Sequence, residues 1–182
     1  MHTNVKQFIK FCLFILIQTQ VLDKIMIRWW TEPSGFPIFV PFLYPLFILL
    51  LPLSTPVWLL LFVGFTTGLS VDLFNNTAGM HAFACVLMAY LRTNVLNALL
   101  PKNLSEYGQQ VPGVKVMGWM PFLTYSAFLL LILHLTFFTL EIWSFSNIGY
   151  LLLKVLASTI TSMLLVVGYL LLFTNSSSIR NK

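Results

Sequence analysis

From Trp119 to Leu140 the sequence contains no lysine, arginine, aspartate or glutamate. A stretch of that length and polarity suits a lipid solvent: a hydrocarbon core about 30 Å thick needs roughly 20 predominantly apolar residues for a helix to cross it. Hydropathy divides the whole chain into about six such spans, Phe8 to Leu22, Phe36 to Pro52, Val57 to Phe74, Gly79 to Leu100, Trp119 to Leu140 and Ile148 to Phe173. Composition agrees, since 58% of the 182 residues are hydrophobic and only 8% charged, against roughly 25% charged in soluble domains. The expected fold is all-α: an integral membrane bundle of about six transmembrane helices, forming a single transmembrane domain over residues 1–182.

The second span is the exception within this pattern. Pro41 and Pro45 lie one helical turn apart in it, and each removes an amide donor. A kinked or re-entrant segment is the alternative there, which would reduce the count to five. Lys6 and Lys10 ahead of FCLFILI imitate a secretory signal, but no small-x-small cleavage pattern follows in QTQVLDK, so this stretch is expected to remain as the first span.

Ten basic residues against five acidic ones give a formal charge of +5. They are scattered rather than gathered on one stripe, which argues against nucleic acid and for a topology signal. With six spans and a cytoplasmic start, Lys6, Lys10, Arg92, Lys102, Lys115, Arg180 and Lys182 fall on the inner side, and Lys24, Arg28 and Lys154 on the outer. Both termini are therefore expected in the cytoplasm. Trp29, Trp30 and Trp143 then sit at outer ends and Trp58 and Trp119 at inner ones, where an amphipathic ring is at ease. Cys12 and Cys85 lie in apolar segments without ligand spacing, so neither a disulfide nor a metal site is expected.

Polar residues inside the spans carry the functional question. Gly64 and Gly68 form a GxxxG pair, one helical face of which continues to Asp72. Such a groove serves either internal packing or a partner helix. Asp72 is either a functional carboxylate at the membrane or an acceptor for the first amides of the next helix, across an NNTAG connection whose Gly79 and asparagines suit a turn. On the fourth span His81, Met88 and Arg92 share a face with the small residues Ala82, Cys85 and Ala89 beside them, as expected of a surface pressed against protein. Arg92 is expected to snorkel to the inner boundary.

His134 and Glu141 align seven residues apart, and Lys154, Ser158, Thr161 and Ser162 make a polar stripe on the last span. In the six-span topology Asp72, His81, His134, Glu141 and Lys154 gather in the outer half. Pairing of Lys154 with Glu141 or Asp72 would lower the cost of burying each charge. The cluster reads either as a structural plug or as a site for a ligand or partner.

No HExxH motif is present, and Asp72 and Glu141 are the only carboxylates near the bilayer in this topology, which is thin material for metal-assisted hydrolysis. The triplet Gly68-Leu69-Ser70 with His134 is a faint match to an intramembrane serine protease. No enzyme activity and no cofactor are expected.

Read whole, GLSVDLFNNTAGMHAFACVLMAYLR, from Gly68 to Arg92, resembles the signature of the rod shape-determining protein MreD family: a span ending GLSVDLF, a short polar turn, then GMHAFACVLMAYLR. Length, span count, short tail and the HLTFFTLE ending are similar as well, whereas many relatives have proline where Ala78 stands. The resemblance implies a noncatalytic scaffold in the bacterial inner membrane. It would belong to the cell-elongation, peptidoglycan-synthesising machinery and bind MreC, with MreB, RodA and its partner transpeptidase as direct or indirect partners. On this view Gly64, Gly68, Asp72, Gly79, His81 and Arg92 shape and hold a bundle on which other membrane proteins dock. The alternative is a small-molecule-binding subunit of an energy-coupling-factor transporter, whose fold MreD resembles distantly. Such subunits carry small residues at four-residue spacing on the first helix, and Phe8 to Leu22 contains no alanine or glycine.

Overall fold

A computed structural model describes residues 2–24, 39–143 and 148–174, with the side chains of residues 2–8, 173 and 174 excepted. Arg28, Trp29, Trp30, the start of the expected second span at Phe36, and Arg180 and Lys182 lie outside the described residues. All regular structure among those described is helical.

Among the described residues, four helices are long and apolar enough to cross a membrane: α3 (Val57–Asn75), α4 (Met80–Leu99), α6 (Trp119–Ile142) and α7, which spans Ile148–Thr174. They pack in sequence, α3 on α4, α4 on α6 and α6 on α7. Local chemistry sets their ends. Pro56, in extended conformation, precedes α3, and Pro121 falls in the first turn of α6, where a missing amide costs no helical hydrogen bond. Asn76 takes a left-handed conformation at the end of α3, and Gly79 does so just before α4; these residue types enter that region most readily.

The first expected span is a helix, α1 (His2–Ile17), whose last turn widens into a π-helical turn over Gln18–Leu22. Its apolar part, Ile9–Leu22, is shorter than the four long helices.

The expected span Phe36 to Pro52 is corrected by the structure. Its described part is not a continuous helix: residues 39–43 are irregular, and only Pro45–Leu49 forms a short helix, α2. Five residues rise about 7.5 Å, far below the thickness of a bilayer. The reason is the proline pair, since each proline lacks a donor and also biases its predecessor away from helical geometry. Phe42, Tyr44, Leu46, Ile48 and Leu49 are nevertheless buried, and they form the middle of the core together with Leu60, Met88, Leu130 and Phe138. An irregular segment therefore runs through the interior of the helical bundle, from Val40 beside Ser158 to Leu51 beside Arg92, and carries the chain from one end to the other without a second long helix.

Beyond α4, the hydrophilic connection carries a 3₁₀ turn at Leu104–Tyr107 and the short α5 (Val114–Met117). It folds back on the end of the buried segment, where the Leu53 and Ser54 amides donate to the carbonyls of Gln110 (2.9 Å) and Gly108 (3.2 Å).

Candidate functional site

An irregular backbone inside a membrane bundle is tolerated only when its amides and carbonyls find partners within the protein, because each one left bare in a hydrocarbon setting costs several kcal/mol. Side chains of four helices supply those partners here. The Val40 amide donates to Ser158 Oγ (3.1 Å) and the Phe42 amide to Ser162 Oγ (2.8 Å), both on α7. Gln18, in the π-helical turn, uses its amide as a second backbone: Oε1 accepts from the Leu43 amide at 2.6 Å, and Nε2 donates to the Pro41 carbonyl at 3.3 Å. Tyr125 on α6 donates to the Leu49 carbonyl at 3.0 Å.

Arg92 completes the set. Its Nη2 donates to the Leu51 carbonyl and, at 3.4 Å, to that of Pro52, while Nε donates to Tyr125 Oη at 3.0 Å. The side chain is fully buried, which corrects the expectation that it snorkels to a boundary. The carbonyls freed where α2 ends lie within its reach and cannot be satisfied by α2 itself. Arg92 Nη1 and Ser126 Oγ have no hydrogen-bond partner among the described residues.

Asp72 proves to be the cap of α4. Its Oδ1 accepts the His81 amide (3.1 Å) and the Thr77 hydroxyl, and Oδ2 accepts the Ala82 amide (2.9 Å). A carboxylate at a helix N-terminus satisfies amides that have no intrahelical acceptor and meets the positive end of the helix dipole. His81, thus placed, is 2% exposed. Its Nδ1 bonds the Tyr44 hydroxyl at 2.8 Å, and its ring stacks on Phe137 with centroids 4.2 Å apart. Gly64 and Gly68 are both consumed by the packing of α3 on α4: a β-carbon on Gly68 would lie 2.4 Å from Ala82 Cα, and one on Gly64 3.0 Å from the Cys85 carbonyl oxygen. Of the two readings of the GxxxG pair, internal packing is the one realised.

His134 and the α7 stripe meet around Phe42, whose ring stacks on His134 at 4.9 Å and 7°. His134 Nδ1 lies 2.7 Å from the Leu130 carbonyl, which can only accept, so Nδ1 carries a proton. Nε2 then accepts from the Ser162 hydroxyl at 3.2 Å, and Ser162 in turn accepts from Phe42. The pair has the spacing of a serine–histidine dyad, but both side chains are fully buried and serve the backbone. Ser70, by contrast, donates to the Thr66 carbonyl of its own helix.

Glu141 and Lys154 form an ion pair, 2.6 Å between Oε2 and Nζ, with the Lys154 ammonium 4.5 Å from the centre of the Phe138 ring. Glu141 side-chain exposure is 31% against 1% for Lys154, so the pair reaches the surface through the glutamate. Thus Asp72, His81, His134, Glu141 and Lys154 occupy one end of the bundle, linked through Phe42, Phe137 and Phe138, while Arg92 belongs to a separate clamp further along.

At the end that carries Asp72, a cleft of about 420 Å³ opens between α1, the buried segment, α3, α4 and α6. Phe42, Phe74, Phe137 and His81 contribute apolar and aromatic wall, and Asp23 and Glu141 contribute carboxylates. Asp23 accepts from Gln18 Nε2 (2.8 Å) and Asn75 Nδ2 (3.0 Å). Burial raises its carboxyl pKa above the ordinary value, against the opposite pull of those two hydrogen bonds. In the sequence Asn75 is marked only as a turn residue, and Gln18, Asp23, Tyr44 and Tyr125 are not singled out. The available signal was the proline pair: amides and carbonyls released between Pro41 and Pro52 demand polar partners, and few polar side chains exist within the spans.

No group of three or more histidines, cysteines or carboxylates able to hold a metal ion occurs among the described residues, and Cys12 and Cys85 are free. Comparison of the chain with protein-family models, with curated proteins and with solved structures finds no match in any of the three.

Proposed function

We propose that this chain is a noncatalytic membrane scaffold of the bacterial cell-elongation machinery, of the MreD kind, set in the inner membrane with both termini in the cytoplasm. The observation that supports it is the use to which the segment from Gly68 to Arg92 is put. Its glycines, carboxylate, histidine and arginine are spent on joining α3 to α4 and on holding the interior segment. The apolar side chains Leu69, Leu73, Phe83 and Tyr90 point outward. Polar chemistry that orders a hairpin, paired with apolar outer faces, suits a protein that works by being docked against. The partners on this reading are MreC first, then RodA, its partner transpeptidase and MreB, directly or through MreC.

The test is site-specific photocrosslinking in living cells from outward positions on this hairpin, Leu69, Leu73 and Phe83. Position 68 is unsuitable because it is packed against Ala82. Capture of MreC and other elongation proteins supports the scaffold. Capture of an ATPase-linked transport subunit instead overturns it in favour of a transporter's small-molecule-binding subunit, a reading whose one supporting observation is the cleft beside Asp23.

A further inference from the structure

The cleft at the Asp72 end has a chemistry of its own, distinct from the hairpin on which the scaffold reading rests. Asp23 is half-buried, and its carboxylate has only neutral partners, the amides of Gln18 and Asn75, among the described residues. Lys24 also stands at the cleft, but its ammonium is turned back along its own helix to Gln20 Oε1 at 2.8 Å. Glu141 presents a second carboxylate, one oxygen of which is occupied by Lys154. Deeper in the wall, His81 is 2% exposed, and with Nδ1 on Tyr44 its Nε2 has no hydrogen-bond partner among the described residues. Between these polar groups lie the rings of Phe42, Phe74 and Phe137.

A carboxylate that is partly desolvated and lacks a counter-ion attracts a cation. Aromatic walls favour a flat apolar body and lend their negative faces to a positive charge. A volume of about 420 Å³ falls within the range of small-molecule sites, which are mostly apolar with a few convergent polar groups. We infer that this cleft is a binding site for a small aromatic amine in its ammonium form, with Asp23 holding the ammonium, the phenylalanine rings flanking the aromatic body and His81 Nε2 offering one further hydrogen bond. The site is independent of which membrane proteins dock on the outer faces of the bundle.

The test uses the full-length protein purified in detergent, with 2-phenylethylammonium as probe and 3-phenylpropionate as an anion of similar size and apolarity. Calorimetric titration is expected to give saturable binding of the cation and none of the anion. Asp23→Asn is expected to weaken the cation about tenfold or more, as loss of a charge-assisted hydrogen bond implies. Phe74→Ala removes a ring from a side chain that is 54% exposed, so it leaves the core packed while weakening the probe about threefold or more. If Asp23→Asn does not purify as a folded protein, Phe74→Ala decides the matter. Absence of saturable cation binding, equal binding of the anion, or unchanged affinity in the folded variants overturns the assignment. Because no partner protein is present, these outcomes are independent of the crosslinking result.

Discussion

Gly68 sets how closely α3 and α4 lie. The atoms that a methyl group there would meet, Ala82 Cα, the Ala82 nitrogen and the His81 carbonyl oxygen, belong to the backbone of α4 and cannot rotate aside. Gly68→Ala must therefore push the two helices apart, and the same movement pulls the His81 and Ala82 amides away from Asp72. Overpacking of this kind costs about 1–3 kcal/mol and sometimes more, and the loss of the cap adds about 1 kcal/mol. At Gly64 the nearest atoms stand at 3.0 Å and 3.1 Å, and a few tenths of an ångström of adjustment suffice. Thermal unfolding of the purified variants in mild detergent should accordingly show a large fall in midpoint for Gly68→Ala and a small one for Gly64→Ala; equal effects would mean that the glycines do not set the helix spacing.

Among the elements, the irregular segment around α2 depends most on others. Its amides are held by serines of α7 and its carbonyls by Arg92 and Tyr125, so its conformation is imposed by the bundle. The double substitution Ser158→Ala and Ser162→Ala removes the acceptors of the half-buried Val40 amide and the buried Phe42 amide, at about 1–3 kcal/mol for the buried one. Hydrogen exchange should then accelerate at those two amides more than at amides within α6, while helix content stays unchanged; uniform acceleration throughout the bundle would count against a local role. The four long helices were legible in the sequence because length and hydropathy suffice for them, and the break at Pro41 and Pro45 was legible from the chemistry of proline. The identity of the clamps was not. Ser158 and Ser162 are 118 and 120 residues from the amides they serve, and nothing local tells a serine that closes a distant backbone from one that bonds its own helix, as Thr159 does with the Val155 carbonyl. Arg92 was misjudged for the same reason: its partners are carbonyls 40 and 41 residues away, invisible until α2 is seen to end beside it.

For the molecule as a whole, the polar residues divide between two tasks. Arg92, Tyr125, Gln18 and the α7 serines stabilise the interior, and Asp72, Thr77, His81, Glu141 and Lys154 order one end. On the topology proposed above, that end lies outside the cytoplasm. A phosphatase reporter fused after Lys182 should therefore be inactive, whereas one inserted in the Pro101–Lys115 connection should also remain inactive and one inserted between Asn76 and Ala78 should be active. Activity at Lys182 would reverse the topology and turn the cleft toward the cytosol. The assignment of the hairpin to the Asp72 end was within reach of sequence reasoning, because a carboxylate just before an Asn-Asn-Thr-Ala-Gly connection has an obvious backbone to cap. The cleft was not, since its walls come from four separate stretches of chain.

The interior segment also bears on how the protein is made. Val40 and Phe42 leave the ribosome long before Ser158 and Ser162, whose hydroxyls accept from their amides, are synthesised. The nascent chain must hold this stretch in the translocon or the wet headgroup zone until the final helix arrives. Closure of the interior around this stretch therefore waits on the arrival of the final helix.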